Sequence, residues 1–240
     1  MAVSEAREDV KLLGHWVSPF VTKVAIALNL KGVRYQLLEE EIRSKGGLVK
    51  SELLLKSNPV YKKIPVLIHN GKPICESMII VQYIDEVWAS RGTSIVPSDP
   101  HERAVAQFWS VYADEWVIKL FVMLRATTEE AKAKAAEEAI AGLQVLEEAF
   151  MECSKGKSFF GVDSIGYVDI ALGCSLGWIG AAEELCGVRV LDEAKTPQLV
   201  GWAERFLSDD AVMRVIPEVG KFVEFGKMMR AGRNVEPAAN

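Results

Sequence analysis

Trp16-Val17-Ser18-Pro19-Phe20 stands where a short apolar run, Val10-Lys11-Leu12-Leu13, gives way to an amphipathic one, Val21-Thr22-Lys23-Val24-Ala25-Ile26-Ala27-Leu28. The first run reads as a strand and the second as a helix. A serine before a proline at that junction reads as an N-cap followed by a first-turn proline. Such a terminus carries backbone N–H groups without an intrahelical partner and a partial positive charge, so it favours an anion. On this stretch alone two readings of Ser18 stand: a helix cap and nothing more, or a hydroxyl presented to a docked group.

Strands and helices alternate over residues 10–91, which predicts an α/β unit. Gly32 ends the first helix, Val33-Arg34-Tyr35-Gln36-Leu37-Leu38 reads as a second strand, and an acidic patch, Glu39-Glu40-Glu41, leads to a Gly46-Gly47 loop. Ser51-Glu52-Leu53-Leu54-Leu55-Lys56 reads as a short helical turn stopped by Asn58-Pro59. Asn70-Gly71, flanked by Pro65-Val66-Leu67-Ile68-His69 and Lys72-Pro73-Ile74-Cys75, is a strong hairpin signal. A helix then starts at Glu76-Ser77, with Ile80, Tyr83, Ile84 and Val87 on one face, and ends near Gly92.

Residues 93–99 have linker character, and Asp99-Pro100-His101-Glu102 supplies a cap, a first-turn proline and a reciprocal Glu in order. Everything beyond reads as helix, including a stripe Ala136, Ile140, Leu143, Phe150 that follows the Thr127-Thr128-Glu129-Glu130 start. The expected organisation is an α/β domain over residues 1–92, a linker over 93–99 and an all-α helical domain over 100–240.

The chain has 240 residues, 50% hydrophobic and 25% charged, the composition of a globular protein. A net charge of -5, with lysines and arginines scattered, excludes nucleic acid as the main partner. Cys75, Cys153, Cys174 and Cys186 lie far apart and only three histidines could join them, so no metal is expected and the thiols read as buried and reduced. The polar, acidic start of the chain lacks signal-peptide character, and the most apolar stretch, residues 170–182, is too short to span a bilayer, so no membrane association is expected and the cytoplasm is the expected location.

A β-α-β unit followed by a hairpin and a helix is the thioredoxin-like order. Ile64-Pro65 stands immediately before the third strand, where that fold places a cis-proline, whose preceding residue offers its backbone for strand-like pairing. Glu76-Ser77 opens the next helix, where a carboxylate can take an amine and a hydroxyl with N–H groups can take a carboxylate. With Trp16-Val17-Ser18-Pro19-Phe20, Lys50-Ser51-Glu52-Leu53-Leu54-Leu55, Asn58-Pro59-Val60-Tyr61-Lys62-Lys63-Ile64-Pro65-Val66-Leu67, Ile74-Cys75-Glu76-Ser77 and Ile165-Gly166-Tyr167-Val168-Asp169-Ile170-Ala171, the chain resembles the plant tau-class glutathione transferases from about residue 10 to 230.

The resemblance implies a function: conjugation of glutathione, the co-substrate, to hydrophobic electrophiles such as xenobiotics and herbicides, with hydroperoxide reduction as a side activity. It implies a homodimer, or a heterodimer with a relative, and roles for individual residues. Ser18 matches the serine that donates to the glutathione sulfur; Phe20 lies beside it. Ile64, ahead of Pro65, matches the backbone partner of the cysteinyl unit, and Glu76 with Ser77 the holders of the γ-glutamyl end. Lys50 and Lys63 match the lysines facing the glycine carboxylate, although the 43–49 loop is longer than the family pattern and Lys45 competes with Lys50. Gly166 replaces the usual Ser or Thr of a capping box, which leaves Asp169 as its structural half.

Serine at position 18, unlike cysteine, forms no disulfide with substrate, so conjugation and peroxide reduction outrank thiol transfer. The second substrate needs an apolar pocket, for which Phe20, Tyr112, Trp116, Trp178, Phe222 and Phe225 are candidates; at helical spacing the same aromatics also read as core. A non-catalytic carrier of hydrophobic metabolites is the alternative function.

Overall fold

In a computed structural model, which describes residues 9–42 and 47–233, the chain opens on β1 (Val10–Gly14), α1 (Pro19–Leu30), β2 (Gln36–Glu39) and α2 (Glu52–Ser57). It continues through β3 (Val66–His69), β4 (Lys72–Cys75) and α3 (Ser77–Val87). The strands form one sheet of order β2-β1-β3-β4, with β1 parallel to β2 and antiparallel to β3, and β3 antiparallel to β4. These elements make one compact unit, and those after Thr93 make another.

The strand alternation supplies two apolar faces. Leu13, Val66 and Ile68 share one face with Leu54 of α2, while Leu12 and Leu67, at 0% exposure, lie on the opposite one. Burying each such leucine is worth about 1.5–3 kcal/mol. The helices α1 and α3 pack on each other and on β1 and β4 respectively. Asn70 and Gly71 both take positive φ, 49° and 77°, as a two-residue hairpin of this hand requires.

Two local expectations shift. Gly32 sits at φ 60°, its N–H donates to the Asn29 carbonyl, and Val33 N–H donates to Leu28, so residues 32–33 complete the end of α1 and β2 begins only at Gln36. On α3, Val87 is 42% exposed and Asp85 turns inward instead, because its carboxylate pairs with the buried Lys31 ammonium at 2.6 Å.

The second unit is helical throughout: α4 (Pro100–Arg125), α5 (Glu129–Ser154), α6 (Tyr167–Gly173), α7 (Leu176–Cys186), α8 (Pro197–Leu207), α9 (Asp210–Met213) and α10 (Val219–Arg233). Asp99 caps α4 by accepting from His101 and Glu102 N–H, but the Glu102 carboxylate, read as its reciprocal partner, lies 3.8 Å from Lys155. At the centre, α4 packs on α5, α6 and α7. Asp169, at 0% exposure, accepts from Gly166 N–H (2.9 Å), Phe160 N–H (3.1 Å) and the Trp202 indole (2.7 Å), tying α6 to the preceding loop and to α8. A Cβ at Gly166 would lie 3.3 Å from the same carboxylate, a close approach that a small shift of Asp169 would relieve.

Candidate active site

The sheet register gathers the expected residues at one end of the first unit. Leu13 opposes Val66, and Val66 opposes Cys75, so the loop leaving β1, the Ile64-Pro65 pair entering β3 and Glu76 leaving β4 emerge side by side. Gly14 opposes Glu39, which brings the loop after β2 to the same end.

Ser18 is the N-cap of α1, with extended backbone (φ -81°, ψ 117°). Its N–H donates to the His15 carbonyl, and its own carbonyl accepts from the N–H groups of Val21 and Thr22. The side chain makes no cap hydrogen bond. The helix start is thus held by the backbone and by Pro19, and not by the Ser18 hydroxyl. Ahead of it, Val17 N–H donates to His15 Nδ1 at 3.3 Å, and burial lowers the pKa of His15 against the opposing pull of Glu39, both of which favour the neutral ring. Phe20, partly exposed on α1, carries the Lys23 ammonium 5.0 Å from its ring centroid. Lys23 is itself 0% exposed, a buried cation that the amphipathic pattern concealed.

The Ile64–Pro65 bond is cis. The turn before it is organised by Asn58, 4% exposed: Nδ2 donates to the Lys63 carbonyl (3.0 Å), Oδ1 accepts from Tyr61 N–H (3.1 Å), and the carbonyl accepts from Lys62 N–H. Lys63 and Ile64 are therefore positioned by a residue read from sequence only as a helix stop. Glu40 plays the matching part for Lys50. Buried at 5% exposure, it accepts from both the hydroxyl (2.6 Å) and the N–H (3.0 Å) of Ser51, whose oxygen caps α2 through Leu54 N–H. Lys50, next to this clamp, is exposed. Lys45 lies outside the described residues.

Glu76, the N-cap of α3, has φ 70° and ψ 116° with no side-chain cap bond. A non-glycine residue there stores about 1–3 kcal/mol of backbone strain, a cost concentrated at functional sites. Ser77 follows it, 7% exposed. The neighbouring Cys75 donates to the Ser57 carbonyl, and burial with the nearby Glu76 charge pushes its thiol pKa up, away from nucleophile character.

The aromatic candidates of the helical unit separate into two groups. Trp178 contacts the rings of Phe121, Phe222 and Phe225 at centroid distances of 5.2, 5.3 and 6.2 Å, and Phe121 is a member that sequence reasoning missed. Tyr112 and Trp116 do share a face of α4, but it is turned to α5. The Tyr112 hydroxyl donates to Gly142, the Trp116 indole donates to Ala139, and Trp116 is 1% exposed. A Cβ at Gly142 would come within 2.7 Å of the indole. Trp116 is therefore helix-packing core, and its expected place in an acceptor pocket is corrected. Among the described residues, no group of three His, Cys, Asp or Glu side chains could hold a metal ion, and no helix is long and apolar enough to cross a membrane.

Residues 8–86 match the glutathione S-transferase N-terminal domain, and residues 112–210 the C-terminal domain of the same family. Glutathione S-transferase U17 of Arabidopsis thaliana is 54% identical over 92% of this chain and 96% of its own length. The tau-class glutathione S-transferase of mango, Mangifera indica, superimposes with a TM-score of 0.86 at 55% identity, covering 92% of this chain and 98% of that one. Rice GST1, solved in complex with glutathione, gives 0.83 at 31% identity over 96% and 99% of the two chains.

Proposed function

Because the chain belongs to the tau-class glutathione S-transferases, we propose that the Ser18 hydroxyl donates to the sulfur of bound glutathione and holds it as a thiolate. The observation that carries this reading is a serine at the head of α1 whose side chain caps no N–H group. A thiol of pKa about 8.5 is only a few per cent ionised at neutral pH, and the thiolate is the nucleophile. A hydroxyl donating to a charged acceptor contributes about 1.5–3 kcal/mol, and the helix terminus about 0.3–1 kcal/mol more. At about 1.36 kcal/mol per unit, these together lower the thiol pKa by roughly one and a half to three units, enough to make thiolate the major form at pH 7.

The remaining parts of glutathione have matching chemistry at the same end of the sheet. Glu76 takes the γ-glutamyl ammonium and Ser77 its carboxylate; the Ile64 backbone pairs with the cysteinyl unit beside Pro65; Lys50 and Lys63 face the glycine carboxylate. A relative 31% identical has been solved in complex with glutathione, which supports glutathione as the ligand. The thiolate then attacks an electrophilic carbon of a hydrophobic acceptor, forming the C–S bond while the leaving group departs with its electron pair. Phe20, two residues after Ser18 and partly exposed on α1, is the aromatic side chain against which we place that acceptor, and hydroperoxides are a second acceptor class. Detoxification of xenobiotics in the cytoplasm is the role that follows. A homodimer is supported by an exposed apolar stripe on α4, where Phe108, Val111, Ile118 and Val122 are 62, 59, 59 and 52% exposed.

Ser18→Ala tests the proposal directly. Turnover of a chlorinated nitroaromatic should fall by roughly ten- to a hundredfold, with the bound thiol's pKa rising and thermal stability unchanged. Unchanged turnover together with an unchanged thiol pKa would overturn it.

A further inference from the structure

The turn that delivers Ser18 is tied down twice by one residue. His15 occupies the first position of a β-turn: its carbonyl accepts from Ser18 N–H at 3.0 Å, and its Nδ1 accepts from Val17 N–H at 3.3 Å. Asn and Asp favour that position because their side-chain oxygen takes the N–H two residues on, and here an imidazole nitrogen fills the same role. Both flanks of the turn are fixed. Upstream, the Gly14 carbonyl accepts from Glu40 N–H at 2.8 Å and Leu13 is fully buried; downstream, Val17 is 5% exposed and Pro19 opens α1.

The bond to Val17 requires an unprotonated Nδ1, which leaves the proton of the neutral ring on Nε2. A second proton would set a ring N–H against the Val17 N–H, two donors with no acceptor between them. Burial lowers the His15 pKa from its ordinary 6.5, and Glu39, at the end of β2, pulls the other way. The other charges on the neighbouring elements are engaged elsewhere: the Glu40 carboxylate by Ser51, the Lys23 ammonium over the Phe20 ring, and Lys11 by Asp9. A folded-state pKa below the ordinary value means that the tie is intact above that range and is lost as pH falls through the lowered value.

We propose that His15 is a positioning residue for the reaction: its neutral imidazole, by accepting from Val17 N–H, holds the turn that aims the Ser18 hydroxyl, and protonation of the ring releases that turn. The effect on turnover passes through Ser18 and so rests on that residue's proposed role at the glutathione sulfur. The tie itself does not. A protonated ring swings off Val17, the hydroxyl loses its fixed bearing, and thiolate is held less well at acid pH than titration of the sulfur alone would give.

The test joins kinetics to nuclear magnetic resonance on the full chain. With glutathione saturating, His15→Leu should lower kcat/KM for a chlorinated nitroaromatic by roughly three- to tenfold at neutral pH. His15→Asn, whose Oδ1 accepts from Val17 N–H without titrating, should recover most of that loss. It should also remove one ionisation from the acid limb: below both pKa values the parent's kcat/KM falls with the square of the proton concentration, and that of His15→Asn with its first power. In isotope-labelled protein, the ring nitrogens should place the proton of neutral His15 on Nε2, and the Val17 amide shift should follow the ring's titration, in the parent and in Ser18→Ala alike. These two readings keep the proposal testable if His15→Leu does not fold. A neutral ring protonated on Nδ1, no rescue by His15→Asn, or an acid limb unchanged in that variant would each overturn it. Unaltered turnover in Ser18→Ala, with Val17 still following the ring, would instead remove the role of Ser18 and leave the tie standing.

Discussion

The Trp202 indole on α8 donates to Asp169 on α6 at 2.7 Å, in a site where the carboxylate is wholly buried. Burial lifts the Asp169 pKa from its ordinary 3.8 to about 6, against the opposing pull of the Phe160 and Gly166 N–H groups and the indole. A folded-state pKa above the unfolded one means that the native protein holds more protons in between, so stability falls as pH rises from about 4 to about 6 and then levels. Two units amount to roughly 3 kcal/mol. Asp169→Asn should flatten that slope, since its oxygen can still accept from Phe160 and Trp202 while no proton is exchanged. Asp169→Ala should cost about 3–5 kcal/mol, because three buried donors lose their acceptor. Urea midpoints measured across pH 4–7 check both, and a slope that survives in Asp169→Asn would assign the titration to another group.

Asn58 bridges Tyr61 N–H and the Lys63 carbonyl while 4% exposed, so truncation removes both hydrogen bonds that hold the turn. Asn58→Ala should lose about 1–3 kcal/mol of stability. The KM for glutathione should rise with kcat nearly unchanged, the pattern of lost binding and not of lost transition-state contact. Asn58→Asp, which keeps the acceptor for Tyr61 but sets a carboxylate against the Lys63 carbonyl, should fall between the two. Steady-state kinetics against glutathione concentration would reveal a catalytic role instead if kcat alone collapsed.

What the sequence discloses here is whatever is encoded locally. The Asn70-Gly71 hairpin, the proline ahead of β3, the helix start at Ser18-Pro19 and the thioredoxin-like order are each written within a few residues, and each has a single stereochemical solution. Asn58, Glu40 and Trp202 escaped because their roles depend on partners brought near by folding: Trp202 meets Asp169 across 33 residues of chain. Periodicity put Tyr112 and Trp116 on one face correctly, yet nothing in α4 says that the face is covered by the small residues of α5, Ala139 and Gly142. Asp85 turned inward for the same reason, since its partner Lys31 sits at the far end of α1.

Replacing Ser18 by cysteine should change the reaction and not merely slow it. The thiol would occupy the same N-cap, at a helix terminus that lowers thiol pKa, beside a bound tripeptide that itself carries a thiol. With oxidised glutathione it would exchange to a mixed disulfide, the protein thiolate displacing one glutathione thiolate from the other. Ser18→Cys should therefore form a glutathione adduct detectable by intact mass and reversed by dithiothreitol, while conjugation of a chlorinated nitroaromatic drops. Absence of the adduct after incubation with oxidised glutathione would mean that position 18 does not face the sulfur.

Glu76 offers a case in which stability and binding should part. Its φ of 70° suits glycine, and the strain carried by a glutamate is about 1–3 kcal/mol, offset in Glu76→Gly by the greater chain entropy of glycine when unfolded. The net expectation is a protein more stable by roughly 0.5–2 kcal/mol. Its affinity for glutathione should nevertheless fall by roughly ten- to a hundredfold, because the carboxylate that we propose for the γ-glutamyl ammonium is gone. Glu76→Gln, which keeps the backbone strain but not the charge, should weaken glutathione binding without the gain in stability. Melting temperature and calorimetric affinity measured on the same samples separate the two effects. A Glu76→Gly protein that binds glutathione as tightly as the parent would remove Glu76 from the site and leave its strained backbone without a function.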